Sequence, residues 1–175
     1  LCFSFNYFTG NIHKKESNTD IGKISRYAWG SDYHDILSEK LKEIENYIKE
    51  LIPQAETKYY ADTGPTLDKQ WAVKSGLSWQ GKNSLTISPE YGSYFFIGII
   101  FTSAKLPNDT PIKDYCGTCT KCIQACPTNA IVDNKIVDAN KCIAYWTIEA
   151  KHDIDIPEYI TNNAKNWIFG CDICQ

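Results

Sequence analysis

Apolar and polar positions follow two different periods along this chain. From Asp32 to Leu51, the apolar residues Leu37, Leu41, Ile44, Ile48 and Leu51 recur at spacings of three and four, which lays them along one stripe of a helix. Ser31 or Asp32 caps its start and Pro53 ends it. Glu39, Lys40, Lys42, Glu43, Glu45 and Lys49 fall mostly on the other side and read as solvated surface. Strands are expected at residues 3–8, Thr57–Ala61, Ser84–Ser88 and Ser93–Thr102. The run Tyr94–Phe101 is almost wholly apolar, as in a central strand covered on both faces. Gly98 within it signals a close backbone approach or a bulge. A shorter helix is expected over Thr66–Ser75, stopped by Gly76. Polar residues 10–22, with Gly10 and Gly22, read as a loop.

The pattern changes at Lys105-Leu-Pro-Asn-Asp-Thr-Pro111, a polar segment bounded by proline. Two domains are therefore expected, 1–105 and 106–175, the first of α+β (α/β-like) class with a mostly buried sheet and flanking helices. In the second, Ile131-Val132 and Ile136-Val137 flank Asp133-Asn134, the pattern of a small hairpin. The 175 residues are 43% hydrophobic and 13% aromatic, enough for a real core. A net charge of −3 gives no global basic footprint for nucleic acid, although a local patch is compatible with it. No apolar run is long enough to span a bilayer, and LCFSFNYF at the start is too short and aromatic for a signal peptide.

Cysteine carries the candidate chemistry. Seven of eight cysteines lie within the last sixty residues, and four spell Cys116-x2-Cys119-x2-Cys122-x3-Cys126-Pro127. This is a known pattern of bacterial iron–sulfur ligation, in which three thiolates wrap one cube and the fourth, before proline, serves a second. Two 4Fe–4S clusters are implied, hence eight ligands. The chain offers Cys142, Cys171 and Cys174 besides the first four, which makes seven. Disulfides and zinc are the alternatives. The dense C-x2-C spacing without a secretory signal argues against disulfides, and zinc does not explain the third and fourth cysteines of the run. A reducing compartment, the cytoplasm, follows. Cys2 reads as a small buried hydrophobe.

Several stretches in order resemble the epoxyqueuosine reductase family, the cobalamin and iron–sulfur enzymes of tRNA queuosine synthesis. They are Arg26-Tyr-Ala-Trp-Gly-Ser-Asp-Tyr-His34, Asp62-Thr-Gly-Pro65, Lys74-Ser-Gly-Leu-Ser-Trp-Gln-Gly-Lys-Asn83, Gly92-Ser-Tyr-Phe-Phe96, the Cys116–Pro127 run, Cys142-Ile-Ala-Tyr-Trp-Thr-Ile-Glu149 and Asn166-Trp-Ile-Phe-Gly-Cys-Asp-Ile-Cys-Gln175. The resemblance implies a cobalamin-binding domain followed by a ferredoxin-like domain with two 4Fe–4S clusters, truncated here at both ends. It implies reduction of epoxyqueuosine to queuosine at the wobble position of tRNA, by a monomer with no membrane association, fed by an external low-potential electron donor. Cys116, Cys119 and Cys122, with a further cysteine beyond Gln175, would hold the first cluster. Cys126, Cys142, Cys171 and Cys174 would hold the second.

The same resemblance assigns site residues. Asp62 alone reads as a turn residue or helix cap; as a family member it becomes the proton donor, with a pKa raised by burial beneath the corrin. Ser25, Asp62, Thr86, Ile97, Ala144, Cys171 and Asp172 would line cobalamin, and Lys151 would reach tRNA phosphate, where a lone lysine is otherwise surface. Tyr27, Tyr33 and His34 read as helix-capping and packing residues, with His34 as a cobalt ligand the sharper but weaker alternative. Trp79–Asn83 reads as a tight turn. Competing functions are a reductive-dehalogenase-like corrinoid iron–sulfur reductase, a simple electron-transfer protein and a zinc-stapled binding module.

Overall fold

The computed structural model describes residues 1–10, 21–151 and 153–175; most of the polar loop expected over residues 10–22 lies outside them. The elements run β1 (Cys2–Asn6), β2 (Lys23–Ile24), α1 (Tyr33–Leu51), β3 (Thr57–Ala61), α2 (Asp68–Lys74), β4 (Trp79–Gln80), β5 (Thr86–Ile87) and β6 (Phe95–Thr102). They continue with α3 (Lys121–Ala125), β7 (Ile131–Asp133), β8 (Ile136–Val137), α4 (Glu158–Asn163) and β9 (Trp167–Phe169). The chain forms two compact units: residues 1–7, 30–80 and 86–115 make one, and residues 8–29, 81–85 and 116–175 make the other.

The first unit is built on a three-stranded sheet, order β1-β6-β3, with both pairings antiparallel. β6 is the central strand, as its apolar run demands. Its side chains alternate between faces. Ile100 joins Leu37, Leu41, Ile48, Ala55 and Ala61 in the core on the α1 side, while Phe101 meets Trp71 of α2 edge-on at 5.6 Å. Burying a leucine as fully as Leu41 stabilises the fold by about 2 kcal/mol. Gly98 is required at the α1 contact, because an added Cβ would lie 2.8 Å from Leu41 Cδ2 and 2.9 Å from Phe5 Cε2. Asp32 is the cap of α1, its carboxylate accepting the His34 backbone N–H at 2.9 Å. The apolar stripe ends sooner than its period indicates: Leu51 is exposed, on the last residue of the helix and outside the core cluster.

Several boundaries differ from expectation. The first strand ends at Asn6, the second helix begins at Asp68 and β6 begins at Phe95. Only Thr86 and Ile87 of Ser84–Ser88 form a strand, and their partner, β4, carries no sequence signal of its own. Both are too short to show an alternation.

The second unit has little regular structure. β2 pairs parallel with β9, β7 pairs antiparallel with β8, and Ile143, Ile160 and Trp167 form a small buried core. Lys135 takes a φ of +65° in the β7–β8 turn. A π-helical turn spans Tyr145–Glu149, directly after Cys142; such turns are frequent at functional sites.

Candidate functional site

Asp62 lies at the end of β3, one residue past the pairing of Ala61 with Gly98. It adopts a φ of +61°, an uncommon conformation for a side chain other than glycine and one that marks functional sites. Its carboxylate accepts the Tyr33 hydroxyl at 2.7 Å, and His34 Nε2 lies 3.3 Å from the same oxygen. His34 Nδ1 is 2.7 Å from Asp32 Oδ1. The residues that begin α1 thus reach across to the end of β3. Tyr33 is fixed by its neighbours, stacking on His34 at 4.0 Å and on Phe96 of β6 at 4.1 Å.

Two expectations change here. Both His34 ring nitrogens face carboxylates, so the residue is committed to Asp32 and Asp62 rather than presented as a cobalt ligand. Asp62 is 62% exposed in its side chain, so this chain by itself does not supply the burial expected to hold a proton on it. Partial burial pushes the His34 pKa down, but its bonds to Asp32 and Asp62 outweigh that and leave it raised above 6.5. Asp68 is raised by burial, against its bond from Thr66, with the Asp62 charge adding to the rise.

All eight cysteines are free thiols. Cys126, Cys142, Cys171 and Cys174 are close enough to act on one another electrostatically. Burial, with the charges of Cys171, Cys142, Cys126 and Cys122, pushes Cys174 up to about 12. Burial, with Cys142, Asp172 and Cys126, pushes Cys171 up to about 11. Cys126 is different. Burial raises it too, but the Ala130 N–H at 3.2 Å, the Thr128 hydroxyl and the Thr128 and Ile131 N–H groups outweigh burial and lower its pKa. The grouping of Cys171 and Cys174, whose ionisation burial and neighbouring cysteines oppose, with Cys126 and Cys142 fits a cationic iron cluster, which takes thiolates and releases their protons. Among the described residues no group of three or more His, Cys, Asp or Glu side chains is placed to hold a single metal ion.

The end of the segment expected to be a simple turn, with the serine that follows it, holds the cysteine loops. Lys82 Nζ donates to the carbonyls of Gly117 at 2.8 Å and Cys119 at 2.9 Å. Asn83 Nδ2 donates to the Cys174 carbonyl at 2.5 Å, and Ser84 Oγ to the Lys135 carbonyl at 2.5 Å. Three consecutive side chains therefore hold the first loop, the last loop and the β7–β8 turn. Ser25 makes a similar long-range bond: it is buried, its hydroxyl donates to Asp172 between Cys171 and Cys174, and Arg26 N–H donates to the other Asp172 oxygen at 3.0 Å. These partners lie between 35 and 147 residues apart, too far for a local pattern to reveal them.

The remaining assigned residues lie on different elements. Thr86 is buried on β5, Ile97 is half-buried on β6 opposite Ser4, Ala144 is half-buried at the start of the π-turn, and Lys151 is exposed after it. Cys2 is half-buried on β1 and lines a cavity of about 940 Å³ with Trp71, Lys74, Ile99 and Leu106; no assigned site residue lines it. No described helix is long and apolar enough to cross a membrane.

Residues 115–175 match the 4Fe-4S double cluster binding domain. With the thiol arrangement, this defines an iron–sulfur protein of the double-cluster class. Residues 1–63 match the family described as epoxyqueuosine reductase QueG, DUF1730. The whole chain is 47% identical to the epoxyqueuosine reductase of Synechocystis sp., covering 100% of this chain and 60% of that protein. It superimposes with a TM-score of 0.88 on epoxyqueuosine reductase from Bacillus subtilis, solved with its catalytic aspartate loop swung out of the active site; identity is 34%, over 99% of this chain and 46% of that one. A crystal structure of epoxyqueuosine reductase with an epoxyqueuosine-modified tRNA-Tyr stem loop matches with a TM-score of 0.86 and 34% identity, over 99% of this chain and 45% of that one. The chain belongs to the epoxyqueuosine reductase family. It spans 60% of the length of the Synechocystis relative and under half of each of the two solved chains.

Proposed function

We propose that the protein containing this chain reduces epoxyqueuosine to queuosine in the tRNA anticodon, in the cytoplasm, as a monomer served by an external low-potential electron donor. The reading rests above all on one observation: Asp62, strained at the end of β3, is held by Tyr33 and His34 in a chain that also groups four cysteine thiols. Removing an epoxide oxygen to leave an alkene consumes two electrons and two protons and releases water. Two 4Fe–4S clusters and cobalamin, when bound, supply the electrons and the reduction at carbon.

The chain's own residues supply geometry and protons. Cys126, Cys142, Cys171 and Cys174 hold one cluster; Cys116, Cys119 and Cys122 contribute to the other. Ser25, Thr86, Ile97, Ala144, Cys171 and Asp172 serve the cobalamin. The chemistry of that set, apolar Ile97 and Ala144 with polar Ser25, Thr86 and Asp172, would suit an amphipathic macrocycle. Asp62 protonates the oxygen that leaves carbon. Lys151 contacts tRNA phosphate. The cobalamin-binding catalytic domain proposed over 1–105 corresponds mainly to the first compact unit, and the ferredoxin-like domain over 106–175 mainly to the second, with residues 8–29 and 81–85 grouping with the latter.

The test is reconstitution of the full-length protein with iron, sulfide and cobalamin, followed by incubation with an epoxyqueuosine stem–loop and a strong reductant. Brown protein that yields queuosine supports the reading. A colourless protein that does not bind cobalamin defeats it.

A further inference from the structure

The reaction proposed above needs two protons per turnover, and one carboxyl carries one. We infer that Asp32, His34 and Asp62 form a relay in which His34, oriented by Asp32, recharges Asp62 during the reaction. The inference rests on Asp62 being the donor, and extends it.

The geometry runs in one line. Asp32 Oδ1 engages Nδ1 of His34 at 2.7 Å, leaving Nε2 directed at Asp62 Oδ2, 3.3 Å away. Histidine is the side chain whose ordinary pKa lies near neutrality, so it can hold and release a proton there. In each transfer the His34 Nε2–H bond breaks and an Asp62 Oδ2–H bond forms. Asp62 then passes that proton to the oxygen leaving carbon, and neutral His34 regains a proton from solvent. The second proton follows the same route, completing water. No oxidant or reductant beyond those of the main reaction is involved. Tyr33 is a positioning residue: its hydroxyl holds the same Asp62 oxygen at 2.7 Å, and its ring stacks on His34. The charged groups that act on His34 are Asp32 from the start of α1 and Asp62 from the end of β3, both raising its pKa; Asp68, from α2, is coupled to Asp62.

Asp32→Asn is the informative variant, because asparagine caps a helix as well as aspartate does. It removes the charge facing His34 without removing the cap. In the holoenzyme, activity should fall as pH rises through the His34 pKa. Asp32→Asn should move that limb to lower pH with KM unchanged. His34→Gln should lower kcat about 100-fold, within the range of general-acid contributions, and abolish the limb. Independently of turnover, the His34 ring resonance, assigned by its loss in His34→Gln, should titrate at lower pH in both Asp32→Asn and Asp62→Asn. Wild-type kcat and pH profile in His34→Gln, or a His34 midpoint unmoved by Asp62→Asn, overturns the relay. Loss of activity in Asp62→Asn alongside a wild-type His34→Gln profile rejects the relay while sparing Asp62 as donor; full activity in Asp62→Asn rejects both.

Discussion

Replacing Gly170 with alanine should disrupt the cysteine unit far more than replacing Gly92, although the two glycines share a backbone conformation. Gly170 has a φ of +67° and Gly92 a φ of +62°. A side chain in that region costs about 1 kcal/mol from backbone strain alone. At Gly92 nothing lies within 4 Å of an added Cβ, so the cost ends there. At Gly170 the new Cβ would lie 2.4 Å from Ser25 Cβ and 3.4 Å from the Tyr27 ring. Ser25 Cβ cannot swing aside, because it is fixed to the backbone, and Ser25 N–H already donates to the Phe169 carbonyl at 2.8 Å. Overpacking adds about 1–3 kcal/mol, for a total of about 2–4 kcal/mol, on the residue next to Cys171. Urea unfolding followed by circular dichroism, with iron counted per protein, measures both effects. Gly170→Ala should show a markedly lower midpoint and less iron, and Gly92→Ala a small loss with iron unchanged. Equal losses in the two variants would refute the argument that Ser25 excludes a side chain at Gly170.

Two further outcomes follow from the same structure. Lys82→Met keeps the length of the side chain and removes both bonds to the Gly117 and Cys119 carbonyls; charge-assisted bonds of this kind are each worth about 1.5 kcal/mol, and the iron lost on mild chelation should come first from the cluster served by Cys116, Cys119 and Cys122, as read by electron paramagnetic resonance. The raised His34 pKa stabilises the folded chain fully below its unfolded value near 6.5, and that contribution disappears as pH rises through the higher folded value. The melting temperature of the wild-type chain should therefore exceed that of His34→Gln at pH 5 and converge with it at pH 9; a constant difference would contradict the sign.

What could be read from the sequence was what is local. α1 and β3 were legible because a period or an apolar run, with a cap and a stop, lies within a few neighbouring residues. The Cys116–Pro127 run was legible for the same reason. Leu51 misled because periodicity says which side of a helix is apolar, and not where the sheet beneath it ends. β2, β4 and β9 escaped because two or three residues cannot display a period; β5 was expected, but over Ser84–Ser88 rather than Thr86–Ile87 alone. The site divides in the same way. Asp62-Thr-Gly-Pro65 could be noticed, yet its bond to Tyr33 joins residues on separate elements. Lys82 and Asn83 looked like part of a turn, and Ser84 like the start of a strand, because their partners are at 117, 119, 174 and 135. Ser25 and Asp172 are 147 residues apart, and only the parallel pairing of β2 with β9 brings them together.

The central claim is that Asp62 delivers a proton within a family of epoxyqueuosine reductases. It is tested most directly by single-turnover conversion of an epoxyqueuosine stem–loop by the full-length, reconstituted Asp62→Asn enzyme, with iron and cobalamin content measured on the same sample. The account predicts wild-type cofactor content and a rate lower by about 100-fold or more. A wild-type rate with both cofactors in place would contradict it.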